Sequence, residues 1–516
     1  MRSLFTTTAL TAVCLMGTPA LADITPEEAW EAYLSQMTQM GMEPTAEVTR
    51  EGDTLVVRNM VYGFEMEMGK ETLTTNTTAP EIRFQEQSGG TVALRFVEPL
   101  KSISVTPVGP GFEDSVETDT IETRSTMTID GVTIISGSPE DLLFTFEDSA
   151  VEMTNEPVMV DDLMIQPGLT AKIVGIDGTY TLEQFEAGLT SDMDITASAL
   201  TYDFDPMDTE TGDQVDMSFA ANDMTVTGSF TLSEGEKADF VQALLGESAM
   251  NFTMEIADSV SSIEIVSEAP GGGMKIDAAT GNSTLDMTLK GGAIGYDATV
   301  ADLNVIAAGA QIPGGQVNVA MKSYNTALLF PLAASEEAQP FELRLGMEEL
   351  VLPEIAWMIA DPTGQLPHDP ASLRIAVNGT LENGMDLFDV AAMTALEENG
   401  GEMPFKVETV NIPEIFLDLA GATIKGEGTG HFLDQEPAMP GGMPPFAGNL
   451  SLNMVGVNDL ITKLSSAGIL PPEQAMSAQM MLGLFARPGE TAGELVSEIE
   501  MTEDGQIIAN GQPLPF

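Results

Sequence analysis

Apolar residues recur at every second position along most of this chain, in short runs separated by glycine, proline, asparagine and aspartate. Ile82 and Phe84 alternate with Arg83 and Gln85, Gly89-Gly90 supplies a turn, and Val92, Leu94 and Phe96 alternate back through Arg95. That pattern predicts a hairpin with one apolar and one solvated face. The period returns at Leu142, Phe144 and Phe146, at Met224, Val226, Phe230 and Leu232, at Phe252, Met254 and Ile256, and at Leu285, Met287 and Leu289. It continues through Val317, Val319 and Met321, then Phe341, Leu343 and Leu345, then Leu373, Ile375 and Val377, and finally Leu450, Leu452 and Met454. Short strands joined by turn residues predict consecutive antiparallel pairing. The helix-strand alternation of a parallel α/β enzyme is absent, as is a glycine-rich strand-to-helix turn for a dinucleotide.

Helical periodicity is confined to a few segments. Thr25-Pro26-Glu27-Glu28 is a capping box with proline at the first helical position; Trp30, Tyr33, Leu34 and Met37 form the apolar stripe, and Gly41 ends it. A second helix is expected from Ser233 and Glu236 through Phe240, Val241, Leu244 and Leu245 to Gly246, and a third from Pro353 around Trp357 to Asp361-Pro362. Leu460, Ile461 and Leu464, a break at Gly468-Ile469-Leu470-Pro471-Pro472, then Ala475, Met476, Met480, Met481 and Leu484 before Pro488-Gly489 predict a helical hairpin. The expected fold class is mainly β: extended, curved antiparallel sheet built from consecutive hairpins, with a few peripheral helices including that C-terminal hairpin.

The first 22 residues carry a basic start at Arg2, an apolar run from Leu4 to Met16, and the small-residue site Ala20-Leu21-Ala22 before Asp23. They read as a cleaved secretory signal, which places the product in the periplasm. Cys14, the single cysteine, leaves with that signal, so the exported chain has no disulfide, thiol nucleophile or thiolate metal site. No later segment has the 18 or so consecutive apolar residues of a membrane helix. The chain divides into residues 1–22, a β-rich part with its helix at 23–325, and a β-rich part with the helical hairpin at 326–516, the last two in one architecture or two. Gly271-Gly272-Gly273 and the stretch Pro437 to Pro445 read as loops.

Charge narrows the partners. The sequence holds 80 Asp plus Glu against 19 Lys plus Arg; removing Arg2 with the signal leaves 80 against 18, or −62. Such a surface repels a phosphate backbone, which excludes nucleic acid as a partner. Yet 43% of the residues are apolar, enough to fold. The excess of acid reads as an adaptation to a saline exterior, where salt screens the self-repulsion.

Candidate chemistry is sparse. The two histidines, His368 in a proline loop and His431 after a glycine-rich turn, have no His-Glu-x-x-His or Gly-x-Ser-x-Gly context and read as loop histidines without chemistry. Asp203, Asp205, Asp208, Glu210 and Asp213 form the densest acid cluster and are spaced as a loop that could wrap calcium, although Met207 and Asp208 stand where an EF-hand needs a ligand and a glycine. A solvated loop is the competing reading. Met37, Met40 and Met42 have thioether spacing suited to copper(I), against which Met37 also completes the apolar stripe of the first helix. Trp30 and Trp357 read as core anchors. The helix from Ala475 to Phe485 is apolar around much of its circumference, fitting buried packing, a lid or a partner-binding surface. No residue is nominated as catalytic, cofactor-binding or metal-binding.

At Phe330-Pro331-Leu332-Ala333-Ala334-Ser335, Gln339-Pro340-Phe341, Trp357 to Asp361-Pro362 and Leu366-Pro367-His368-Asp369-Pro370 the chain resembles the domain of unknown function 2125 family of exported Gram-negative proteins. Asp386-Leu387-Phe388-Asp389, Leu470 to Met476 with Met480-Met481-Leu482-Gly483, and Ala509-Asn510-Gly511-Gln512 extend the resemblance, as do Thr25-Pro26-Glu27, Trp30 and Gly52 to Val57. It covers nearly the whole exported chain, but these motifs are structural and imply no activity. The exported, β-rich character is also loosely similar to envelope proteins of the AsmA type, linked to lipid handling, as a fold-level analogy. The resulting expectation is a non-enzymatic envelope factor that shelters a lipid or amphiphile on an apolar sheet face. The alternatives are a scaffold for other envelope proteins and, last, a hydrolase using two carboxylates that nothing in the sequence locates.

Overall fold

A computed structural model describes residues 24–39, 42–68, 71–107, 120–160, 163–185, 188–208, 214–233, 246, 248–267, 272–387, 404–433 and 445–514. The segment read as a signal, Ala22/Asp23, the helix expected at 234–245, and most of Pro437 to Pro445 lie outside them. Almost all described strands belong to one antiparallel sheet in which most strands pair with those beside them in sequence, while Thr91–Phe96 pairs with Thr133–Ser138 and Thr120–Asp130 with Asp141–Asn155 across intervening strands. The hairpins of the alternation are present: Ile82 pairs with Phe96 and Phe84 with Leu94. Tight turns carry the conformation their residues allow, as at Gly291-Gly292, where φ is 59° and 70° between the strands Ser283–Lys290 and Ala293–Gly309. The sheet passes without a break through positions 325 and 326, inside the strand Gln316–Pro331.

The strands are much longer than the runs of alternation suggest. Gly188–Asp208 has 21 residues and Gln214–Ser233 has 20. Alternation changes phase midway along each of them. In Gln214–Ser233 the half-buried apolar side chains are Val215, Met217 and Phe219 up to the buried Ala221, then Met224, Val226, Phe230 and Leu232. Between the two sets stands Asp223 with φ 46°. A left-handed residue rotates the chain so that the next side chain returns to the same face, and Asn and Asp tolerate that conformation best after glycine.

These residues line up across the sheet. Asn59, Asp148, Gly175, Asp223, Asp302 and Glu349 all have φ between 44° and 61°. The pairs Ala197–Met224 and Ala199–Asn222 set Ser198 opposite Asp223, and Gly175 abuts the Ser198 side chain on the other side. Lys322 lies between Asp302 and Glu349 and bonds Glu349 at 2.9 Å. A seam of left-handed backbone thus crosses the sheet, keeping one face apolar on both sides of it. The Asp148 N–H donates to the Asp177 carboxylate at 3.0 Å and the Glu349 N–H to Ser372 Oγ at 3.0 Å, so polar side chains satisfy irregular backbone along this line, where the Asn222 amide also donates to Asp258 at 2.8 Å.

Among the described residues the larger core on the apolar face lies at its N-terminal end. Helix α1, Pro26–Gln39, starts with the capping box: the Thr25 N–H donates to the Glu28 carboxylate at 2.9 Å, and the Glu28 N–H donates back to Thr25 Oγ1 at 3.3 Å. Its Trp30 meets the Phe84 ring edge-on at 5.8 Å, and it covers a core containing Val57, Met60, Ile82, Phe84, Ile135, Leu182 and Leu189. Further helices are α2 at Glu354–Ala360, α3 at Val457–Ser466 and α4 at Pro472–Phe485, the last two forming the expected hairpin. Trp357 on α2, Leu366 and Ala420 make a second small core against Leu460 and Leu464 of α3. Both tryptophans therefore anchor cores.

Candidate binding face of the sheet

Register ties the filled and unfilled parts of the apolar face together. Val92 pairs with Ile135, Ile135 with Phe144, Phe144 with Tyr180, and Tyr180 with Met193. The row continues through Gly228, Phe252, Met287, Tyr296, Leu328, Leu343 and Val377, each directly opposite the next. Directly paired side chains lie on the same face, so one apolar row crosses the sheet from the core outward.

Exposure along that row changes where α1 ends. Val92 and Ile135 are 0% exposed and Phe144 6%, whereas Leu343 is 49% exposed and the residues between are half-buried. The C-terminal half of α1 is held on the sheet by the buried Met37, by Gln36, donating to the Tyr180 hydroxyl at 2.6 Å, and by Ser35, donating to Gln184 at 3.3 Å. Beyond them, among the described residues from 222 to 351, Leu289 and Ala327 are the only buried apolar side chains. The question left open by the sequence, whether the sheet is filled by its own side chains or leaves apolar surface open, has a divided answer. It is filled beneath α1 and open past the strand Gly188–Asp208. From Phe252 to Val377 the open row crosses six strands, about 24 Å at the usual strand spacing.

The opposite face carries the charge. Asp286 pairs with Asp297, and Arg344 bonds Asp297 at 2.6 Å and Glu342 at 2.7 Å. Scarce bases are shared: Arg58 links Glu51 and Glu81, and Arg374 links Glu348 and Glu414 while lying 3.9 Å over the Phe416 ring; on the α1 side Arg50, opposite Leu55, links Glu27 and Glu86. The hydrogen bond to Glu51 holds the Arg58 guanidinium above its ordinary range, with Glu81 adding to it against partial desolvation. A cavity of about 440 Å³ on this face is lined by Val260 and Ile306 together with Asp203, Ser262 and Asp277.

The residues singled out by sequence are spread over separate parts of the fold. Asp203, Asp205 and Asp208 belong to the strand Gly188–Asp208 and not to a loop, because Tyr202 and Phe204 continue the apolar alternation; Glu210 and Asp213 lie outside the described residues. Among the described residues no three acids or histidines are grouped to hold a metal. Met37 is buried and Met42 packs beside the same core, the packing role, while Met40 lies outside the described residues.

The histidines are also placed differently from the expectation. His431 is not preceded by a turn: Gly426, Gly428 and Gly430 lie in the strand Ala422–Phe432, with His431 opposite Ala447. The Phe446 ring occupies the space a side chain at Gly430 would need, so the glycines serve close packing. His431 lines a depression of about 840 Å³ with Leu450, Glu498 and Glu500. His368 does follow α2 in a loop, but its ring stacks on Trp357 at 4.4 Å and 7°, with Glu354 and Asp361 each 3.9 Å away. Asp361 is buried; it accepts from the Leu366 N–H at 2.6 Å and from Thr363 at 3.1 Å. The Leu366 bond foremost, then Thr363, Gln365 and His368, hold its carboxyl below the ordinary range. With both oxygens committed to the turn after α2, this carboxylate is a structural clip. The separation of Trp357 from His368 in sequence gave no sign of the stack.

No helix among the described residues is long and apolar enough to cross a membrane. The chain matches no family model, no curated protein and no solved structure.

Proposed function

We propose that this protein is a non-enzymatic, exported envelope factor that shelters the apolar part of a lipid or amphiphile on the open stretch of its sheet. The observation that carries the reading is the row from Phe252 to Val377, continuous in register with a filled core yet half-buried along most of its length and exposed at Leu343. Large contiguous exposed apolar surface marks an interaction site in a soluble protein. An aliphatic chain laid across the strands gains by area removed from water and needs no aligned polar groups. The acids on the opposite face keep the molecule dispersed while the apolar face is open, and they disfavour capture of anionic headgroups without divalent cations. Export follows from the signal read in the first 22 residues.

Native mass spectrometry of the purified protein, with uptake of a fluorescent fatty acid, tests this. Bound lipid released on unfolding, and saturable uptake, are expected. Protein that is consistently free of lipid and takes up no probe would overturn the reading.

A further inference from the structure

Helix α4 is apolar and solvent-facing at once. Of its 14 residues only Ala475 is buried, while Met476 and Met480 are 68% and 69% exposed, Met481 49% and Leu484 42%. From residue 474 to residue 486 the sequence has no ionisable side chain, in a chain of net charge −61. This exposure is built in. The carbonyl of Phe485 accepts from Ser497 Oγ at 2.7 Å and from Asn510 Nδ2 at 2.9 Å, which fixes the base of the helix to the last strands. Ala475 is its buried contact, and Gln479 reaches Thr462 of α3 at 3.4 Å. Next to it, Ile469 in the turn between α3 and α4 is 43% exposed.

We infer that the outer face of α4 docks on the surface of a neutral, zwitterionic lipid bilayer. Two features select that occupant. The first is area: a helix of 14 residues is about 21 Å long and about 10 Å across, so its free face covers roughly 200 Å², against the ~800 Å² per partner of a stable protein interface. A bilayer demands no shape complementarity, and binding to it grows simply with the apolar area inserted. The second is charge: the patch has no Lys or Arg to attract anionic lipid, and the rest of the molecule repels it, as it also repels a second copy of this chain. A bilayer is a source of amphiphile, so the purpose of this docking, though not its test, rests on the function proposed above.

Flotation of the full chain with phosphatidylcholine vesicles, alone or with phosphatidylglycerol added, is the experiment. The chain is expected to float with phosphatidylcholine and to bind less as phosphatidylglycerol rises. The double variant Met480→Asp, Met481→Asp should lose binding about tenfold or more with an unchanged unfolding midpoint, since both side chains are exposed. Equal flotation of this variant, no flotation of the parent, or stronger binding to the anionic vesicles would each overturn the inference. So would concentration-dependent dimers abolished by the same substitutions, which would make the occupant a second copy. Fatty-acid uptake measured on both proteins keeps the two ideas apart. Flotation without uptake overturns the sheltering role and leaves the docking; uptake without flotation does the reverse.

Discussion

Two stretches of one apolar face meet opposite fates. Beneath α1, Phe84, Ile82 and Ile135 are withdrawn from water; past the strand Gly188–Asp208, residues of the same kind in the same register stay half-exposed. The strands themselves do not differ: both stretches alternate with period two, both change phase at the seam, and both are paired throughout. What differs is a single 14-residue helix. Apolar patterning therefore specifies which way a strand faces, and a second layer decides whether that face becomes a core or a surface.

The sharpest way to break this comparison is through stability. Trp30→Ala removes the ring that α1 sets against Phe84 and should cost about 3–5 kcal/mol, whereas Leu343→Ala, half in water already, should cost less than about 1 kcal/mol. Urea unfolding of the two variants gives the measure, and similar losses would mean that the open stretch is packed after all. Uptake should run the other way. Leu343→Glu with Ile375→Glu should weaken fatty-acid binding about tenfold, near 1.4 kcal/mol, while Trp30→Ala leaves the affinity of the folded fraction unchanged; a titration with the fluorescent probe distinguishes them.

The seam, common to both stretches, gives a smaller effect. Asp223→Val places a β-branched residue in left-handed backbone and should destabilise by about 1–2 kcal/mol. Asp223→Gly, which relieves that conformation, should come within about 0.5 kcal/mol of the parent. Thermal unfolding of the pair would contradict the seam if valine were as good as glycine.

The smallest effects are in pH, and they separate the two ends of the molecule. Burial, with the nearby Tyr62 adding to it, pushes the Tyr33 phenol of α1 above its ordinary value of 10.0. Its contribution to stability is complete below that pH and is lost as pH rises toward the folded value, because the unfolded chain ionises first. Tyr33→Phe should flatten the alkaline decline in Tm. Asp361, held below its ordinary 3.8, contributes above that pH and loses the contribution as pH falls through the folded value. Asp361→Asn should flatten the acid side, with Trp357 fluorescence reporting the loss of its stack on His368.

Much of this fold was legible. The capping box at Thr25 and Glu28 marked α1, and Gly468 to Pro472 marked the break between α3 and α4, because these depend on local chemistry. Strand length was not legible. At Asp223 and Asp302 the period-two pattern slips by one, so a single long strand reads as two short ones; an Asp or Asn at such a slip is the signal that could have joined them. Gly426 to Gly430 read as a turn because close packing against Phe446 is a tertiary fact. The open face was legible as apolar residues but not as open, since exposure depends on where α1 stops, which Gln36 and Tyr180 set from 144 residues apart. As for chemistry, the acids from Asp203 to Asp208 looked like a loop only while their strand was unseen.

Consecutive pairing has a consequence for how such a molecule can change over time. From the strand Ala249–Val266 to the strand Phe446–Val455 each described hairpin pairs with the segments beside it in the chain, so cooperation passes along this stretch of the sheet from strand to strand. Duplication or loss of one hairpin leaves every other junction as it was and lengthens or shortens the row that crosses the strands. Under the sheltering role proposed above, capacity becomes a matter of copy number: a sheet of this design would be fitted to a larger or smaller guest by counting hairpins, with no redesign of any single one.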